Sequence, residues 1–100
     1  MVRNYSLSPA SERAIIEIVD YTDGAFGENQ TAAYIAGLSQ TFELIVKFPG
    51  IGVAVYELGV GLRRFRYQSH HIYYSETDGQ ITIRHIVHVR RQVRRDLFDT

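Results

Sequence analysis

The residue pattern predicts an α+β domain, a helical hairpin packed on a small, largely antiparallel sheet in the order β-α-α-β-β-β. Three observations predict it. Residues 9–48 carry apolar side chains at helical spacing. Residues 53–89 carry short runs rich in β-branched and aromatic residues, cut by turn signals. Pro49 divides the two regimes, because the residue before a proline is driven out of helical geometry. At 100 residues, the chain reads as one domain over 1–100, ending in a basic tail at about 90–100.

Taken in order, Asn4–Leu7 alternates polar and apolar residues and reads as a short strand. Ser8-Pro9 opens the first helix: the serine can cap free amides, and proline fits the first turn. Ile15, Ile18, Val19, Thr22 and Phe26 share one face, with Glu12, Arg13, Glu17, Asp20 and Asp23 mostly on the other. Gly24 and Gly27 mark the fraying end. A second helix, about Glu28–Phe48, carries Tyr34, Leu38, Thr41, Phe42, Ile45 and Phe48 as its apolar stripe, and Gly37 permits close approach by a neighbour. The connection is short enough to require an antiparallel hairpin. Pro49–Gly52 is a turn. Val53–Leu58, Leu62–Tyr67, His71–Ser75 and Ile81–Val89 read as strands, with turns at Gln68-Ser69 and at Glu76–Gly79, where Asp-Gly is the strongest signal. The tail from Arg90 fits a short helix or an extended arm equally well.

With 45% hydrophobic and 22% charged residues, the composition is that of a folded globular chain. No apolar run approaches the ~20 residues of a membrane span. The N-terminus lacks the apolar core of a signal peptide. Absence of cysteine excludes disulfides and thiolate metal sites and fits a cytoplasmic location. The net charge of zero conceals a dipole. Residues 1–60 hold three basic and seven acidic side chains, and residues 61–100 hold eight and four. The second part can therefore offer a positive face to a polyanion or an acidic partner.

The densest chemistry lies in Leu62–Ser75, which has three arginines, two histidines, four aromatics and no acid. Strand alternation sends Arg64 and Arg66 to one face, and Arg63, Phe65 and Tyr67 to the other, where the rings fill the core beneath the helices. Tyr73 and Tyr74 likewise split between faces. Metal-free RNA cleavage would need a base, an acid and cations on the phosphorane, for which His88, Arg64 and Arg66 are the candidates. No fixed-spacing motif joins a histidine to an arginine pair. His70 reads as a turn residue bonded to backbone, His88 as a structural strand-end residue, and His85 carries little functional weight. Adjacent His70 and His71 point to opposite faces, so no metal site is expected.

Several stretches then fall into a familiar order: Tyr5-Ser6-Leu7-Ser8-Pro9-Ala10, Ile15, Ile18, Tyr21-Thr22 and Gly27, then Tyr34, Leu38 and Phe42. They continue with Pro49…Gly52, Gly61-Leu62-Arg63-Arg64-Phe65, Ser69-His70, Ile72-Tyr73-Tyr74 and Ile86…His88…Arg90. Together, over nearly the whole length, the chain resembles the ParE toxins of the RelE/ParE superfamily, toxic halves of type II toxin–antitoxin pairs. It departs from the family pattern at Val53, where an arginine is common, at Ala14, where an acid is common, and at His88-Val89-Arg90-Arg91-Gln92, where the last strand often ends His-x-Arg-Met-Asp. The resemblance implies a single toxin domain, not an enzyme and without cofactor, that poisons DNA gyrase by binding. A cognate ParD-like or other antitoxin would hold it in an inactive hetero-oligomer, with no membrane involved. The alternative is a RelE-like ribosome-dependent mRNA endoribonuclease. Under the first reading, Arg90, Arg91, Arg94, Arg95, Arg64 and Arg66 are assigned to target binding. Phe26, Phe42, Ile45, Arg63 and Arg64 are assigned to the antitoxin. An apolar groove including Thr22, Phe26, Phe42 and Ile45, left open beside a small sheet, predicts poor solubility or toxicity when the chain is expressed alone.

Overall fold

The computed structural model describes residues 5–98. Strand β1 (Tyr5–Leu7) leads into helices α1 (Pro9–Phe26) and α2 (Glu28–Lys47). Strands β2 (Val53–Ala54), β3 (Leu62–Tyr67), β4 (His70–Thr77) and β5 (Gln80–His88) follow, then a 3-10 turn at Arg95–Phe98. The five strands form one sheet in the order β1-β5-β4-β3-β2. All pairings are antiparallel except β1 with β5. The α+β architecture is the expected one, and each of the four runs read as strands after the helices forms one, a strand more than the order β-α-α-β-β-β counts. The first of the four, β2, is shorter than the Val53–Leu58 run predicts. Val53 and Ala54 form the ladder with β3, Val55 N donates to Leu62 O, and the chain then turns as Leu58 N and Gly59 N both donate to Val55 O. Asn4 lies outside the described residues.

The helix boundaries follow from local chemistry. Ser8 sits in extended geometry, and its Oγ accepts from Ser11 N at 3.1 Å, closing the cap. Gly24 lies inside α1 rather than at a frayed end. The break is Gly27, whose φ of 89° lets the chain reverse in one residue. Its N–H donates to Asp23 O, and its carbonyl receives Thr31 N. At the other end of the hairpin, Phe48 leaves helical geometry ahead of Pro49. The β4–β5 turn places Asp78 and Gly79 at φ 53° and 76°, the backbone that Asp-Gly favours.

Two apolar clusters fill the two faces of the sheet. On the helix face, Ala14, Ile18, Leu38, Phe42 and Ile45 meet Ile72, Tyr74, Ile81, Ile83 and Ile86, with Phe65 and Tyr67 packed alongside. On the other face, Val55, Leu62, Tyr73 and Val87 are covered by Phe98, Leu97 and Val93 of the tail. Tyr73 and Tyr74 do split between faces, and both are buried. A shift of register between β4 and β5 lets this happen along β5. Tyr73 opposes His85 and Tyr74 opposes Ile83, so Arg84 is an extra residue that resets the alternation. Ile81, Ile83 and Ile86 can then all face the helices. The bulge also anchors α1: Ser11 Oγ donates to Ile83 O at 2.7 Å, and Ser8 Oγ to Arg84 O at 2.8 Å.

Two close approaches lock the hairpin and the following turn to the sheet. A Cβ on Gly37 would overlap the Tyr67 hydroxyl, which itself donates to Tyr34 O at 3.0 Å. The Tyr74 hydroxyl donates to Pro49 O at 2.7 Å and accepts from Gly52 N at 2.8 Å, clasping the Pro49–Gly52 turn.

Candidate partner groove

A cleft of about 520 Å³ opens between the hairpin and one end of the sheet. Ile18, Tyr21, Thr22 and Phe26 of α1 and Gln30 and Tyr34 of α2 form one wall. Gln68, Ser69 and His70 at the β3–β4 turn, His85–His88 at the end of β5, and Arg91 form the other. Tyr21 and Phe26 are 72% and 66% exposed, unusual for large apolar side chains with a core nearby. Thr22 and Phe26 are thus placed on the groove as the sequence suggests. Phe42 and Ile45 are not: they are 3% and 0% exposed, with the Phe42 ring 5.4 Å from that of Tyr5. The five-stranded sheet is wide enough to cover Leu38, Phe42 and Ile45 of the α2 stripe, leaving Phe48 exposed, and the opening moves to the other end of the hairpin.

The floor of the cleft is polar. Tyr34 Oη lies 2.5 Å from His70 Nδ1, with Ser69 Oγ 3.5 Å from the phenol and 3.4 Å from the imidazole. His70 therefore bonds to a helix side chain rather than to backbone. The strand register puts His88 directly opposite His70, ring centroids 5.4 Å apart and edge to face. His88 Nδ1 accepts from Arg90 N at 3.1 Å. Burial raises the Tyr34 phenol above its usual range. Burial, reinforced by His88, lowers His70. Both shifts favour the uncharged forms, so the pair presents a neutral hydrogen-bonding rim. Sequence reasoning placed Tyr34 in an apolar stripe and missed this cluster. Its signal was the Ser69-His70 turn, but pairing with His88 depends on a register the sequence does not display.

The nuclease candidates do not converge. His88 faces the helices with His70, whereas Arg64 and Arg66 alternate onto the opposite face with buried Leu62. There they flank His71, whose pKa is lowered by burial and then by both guanidiniums. For the same reason Arg64, assigned to the antitoxin, does not line the groove. Arg63 is on the helix face, but its guanidinium donates to Gly52 O at 2.6 Å, reinforcing the turn beyond the far end of β3. Arg91 reaches the groove rim. Arg90, Arg94 and Arg95 are exposed, and residues 91–94 form no helix, so no helical face gathers 91, 94 and 95. His85 accepts from Ile86 N through Nδ1, and its pKa is lowered by burial and then by Arg91. Among the described residues, no three of His, Cys, Asp and Glu gather as a metal site.

A family model described as the ParE toxin of type II toxin–antitoxin system, parDE, matches residues 5–95. The chain belongs to the ParE toxin family. It is 33% identical over 98 residues to Toxin ParE1 of Mycobacterium tuberculosis, covering 97% of this chain and all of that one. Toxin ParE1 of Caulobacter vibrioides is 32% identical over 73 residues, covering 73% and 76%. Among solved structures, one titled "Chromosomal ParDE TA system from P. aeruginosa" superposes with a TM-score of 0.75 at 11% identity. It covers 86% of this chain and 95% of the other, a likeness of fold. Within this ParE fold, the Pro49…Gly52 and Tyr73-Tyr74 motifs are the two halves of the hydroxyl clasp described above. Ala14 is buried beside the groove.

Proposed function

We propose that this chain inhibits DNA gyrase by binding and is neutralised by an antitoxin segment seated in the groove. Membership of the ParE family over residues 5–95 carries the gyrase reading. The antitoxin reading is supported by the groove itself, where exposed Tyr21 and Phe26 offer anchor sites beside a neutral Tyr34–His70 rim. A peptide with apolar side chains at intervals and backbone or side-chain hydrogen-bonding groups between them fits both features. Arg90, Arg91, Arg94 and Arg95 of the tail, with Arg64 and Arg66 on the sheet face that the tail crosses, are the proposed target contacts. No membrane partner is proposed. Among the described residues, no helix is long and apolar enough to cross a bilayer.

The test is a supercoiling assay with purified protein. Inhibited supercoiling, accumulation of linear DNA and relief by the cognate antitoxin are expected. Normal supercoiling accompanied by ribosome-dependent mRNA cleavage would replace this reading with the nuclease one.

A further inference from the structure

The sheet face turned away from the helices is strongly cationic. Arg64 and Arg66 alternate onto it, and the tail that crosses it exposes Arg90, Arg94 and Arg95. Among the described residues, the Arg64, Arg90, Arg94 and Arg95 side chains have no hydrogen-bond or ion-pair partner, and Arg66 bonds only to Gln68 O. Residues 60–75 contain no acid, and Asp96 is the acid of the described tail. Counting Glu57 in the nearby turn as well, five arginines against two acids leave this side at +3. The opposite side is the reverse: α1 and α2 hold six acids against Arg13 and Lys47, a net of −4. A polyanion is thus repelled from one side of the molecule and drawn to the other.

We propose that this face binds the phosphate backbone of duplex DNA directly. The proposal deepens the gyrase reading, on which its biological setting rests: the toxin would touch the DNA as well as the enzyme. Backbone contact is favoured over base stacking because the rings on this face, Tyr73 and Phe98, pack on each other with centroids 4.9 Å apart and are buried. Guanidiniums without protein partners are what solvent meets, and these suit phosphate oxygens. Among the described residues this face consists of strands and the tail with its 3-10 turn, with no α-helix to enter a DNA groove, so binding is expected to be independent of sequence.

The experiment is fluorescence anisotropy of a labelled DNA duplex titrated with the purified chain, without gyrase, at several salt concentrations. Binding is expected in the micromolar-to-submillimolar range typical of non-specific contacts, about 10⁻⁴–10⁻⁶ M. R64A/R66A is expected to weaken it at least about tenfold and to reduce the salt slope by about 1.8, for two lost phosphate contacts. R64K/R66K should retain binding, and K47A on the helix side should not alter it. If R64A/R66A does not fold by circular dichroism, R64Q/R66Q and R90Q/R94Q carry the same comparison. No binding, binding unchanged by these variants, or tighter binding to single-stranded DNA or to RNA overturns the proposal. Because gyrase is absent, loss of DNA binding with supercoiling still inhibited refutes this face alone. DNA binding without inhibition refutes the gyrase reading instead.

Discussion

At the scale of single residues, glycine and histidine are the positions where environment decides the outcome. Gly24 and Gly37 are both helical, and alanine is favoured over glycine in a helix by about 1 kcal/mol. A Cβ on Gly24 meets nothing within 4 Å, so G24A is expected to raise Tm. A Cβ on Gly37 drives into the Tyr67 hydroxyl and breaks its bond to Tyr34 O, at a cost of about 1–3 kcal/mol that exceeds the propensity gain. G37A is therefore expected to lower Tm, and thermal melts of the two variants side by side check the contrast. The histidines make a second prediction. His70, His71 and His85 all have pKa values lowered from 6.5, chiefly by burial. A depressed pKa means that the unfolded chain takes up protons first. The stability present above pH 6.5 is thus lost as pH falls through the lowered folded values. Urea midpoints should fall steadily as pH drops below 6.5, and H70N/H71N/H85N should flatten that fall.

At the scale of elements, the tail has two separable roles. Phe98 is 8% exposed and packs on Tyr73, while the Arg84 guanidinium donates to its carbonyl at 3.1 Å. Phe98→Ala should cost about 3 kcal/mol, as for other buried aromatics. Arg90, Arg94 and Arg95 are exposed, and their removal should change stability by no more than about 0.5 kcal/mol. Because Arg91 lies on the groove rim, the variant that isolates the target arm is R90A/R94A/R95A, which is expected to abolish toxicity while leaving antitoxin binding nearly intact. Denaturation curves and a growth assay on both variants distinguish a tail that holds the fold from one that meets the target. Unchanged toxicity in the triple variant would mean that the tail is not the target arm.

Considered whole, the molecule has an acidic helical side with an apolar groove at one end, and a basic side built from the sheet and tail. Apart from Arg91, which lies on the groove rim, the two proposed interactions therefore use different surfaces. Tyr21 and Phe26 line the groove and are exposed, so truncating them removes anchor area at little cost to the core. Y21A/F26A should weaken antitoxin binding by at least about tenfold, the effect of losing roughly 1.4 kcal/mol or more. Calorimetry with the cognate antitoxin measures this. An unchanged affinity would move the antitoxin off the groove.

Much of this was legible in the chain. Helical periodicity, the Ser8 cap, Pro49, the Asp78-Gly79 turn and the alternation of Leu62–Tyr67 are local signals, and local signals fix elements and faces. The close approach at Gly37 was also readable, because a glycine in an apolar helical stripe marks contact. The limits were equally physical. The Val53–Leu58 run has strand composition, but Val55 is buried by turning under the tail rather than by extending. Phe42 and Ile45 look like groove residues until the width of the sheet is known. His70 meets His88 and Tyr34 only through cross-strand register and helix docking, with an Arg84 bulge in between. The sequence by itself determined the family, the elements and the charge dipole. Tertiary structure alone decided where the groove opens and which arginines share a face, because those depend on contacts between residues far apart in the chain.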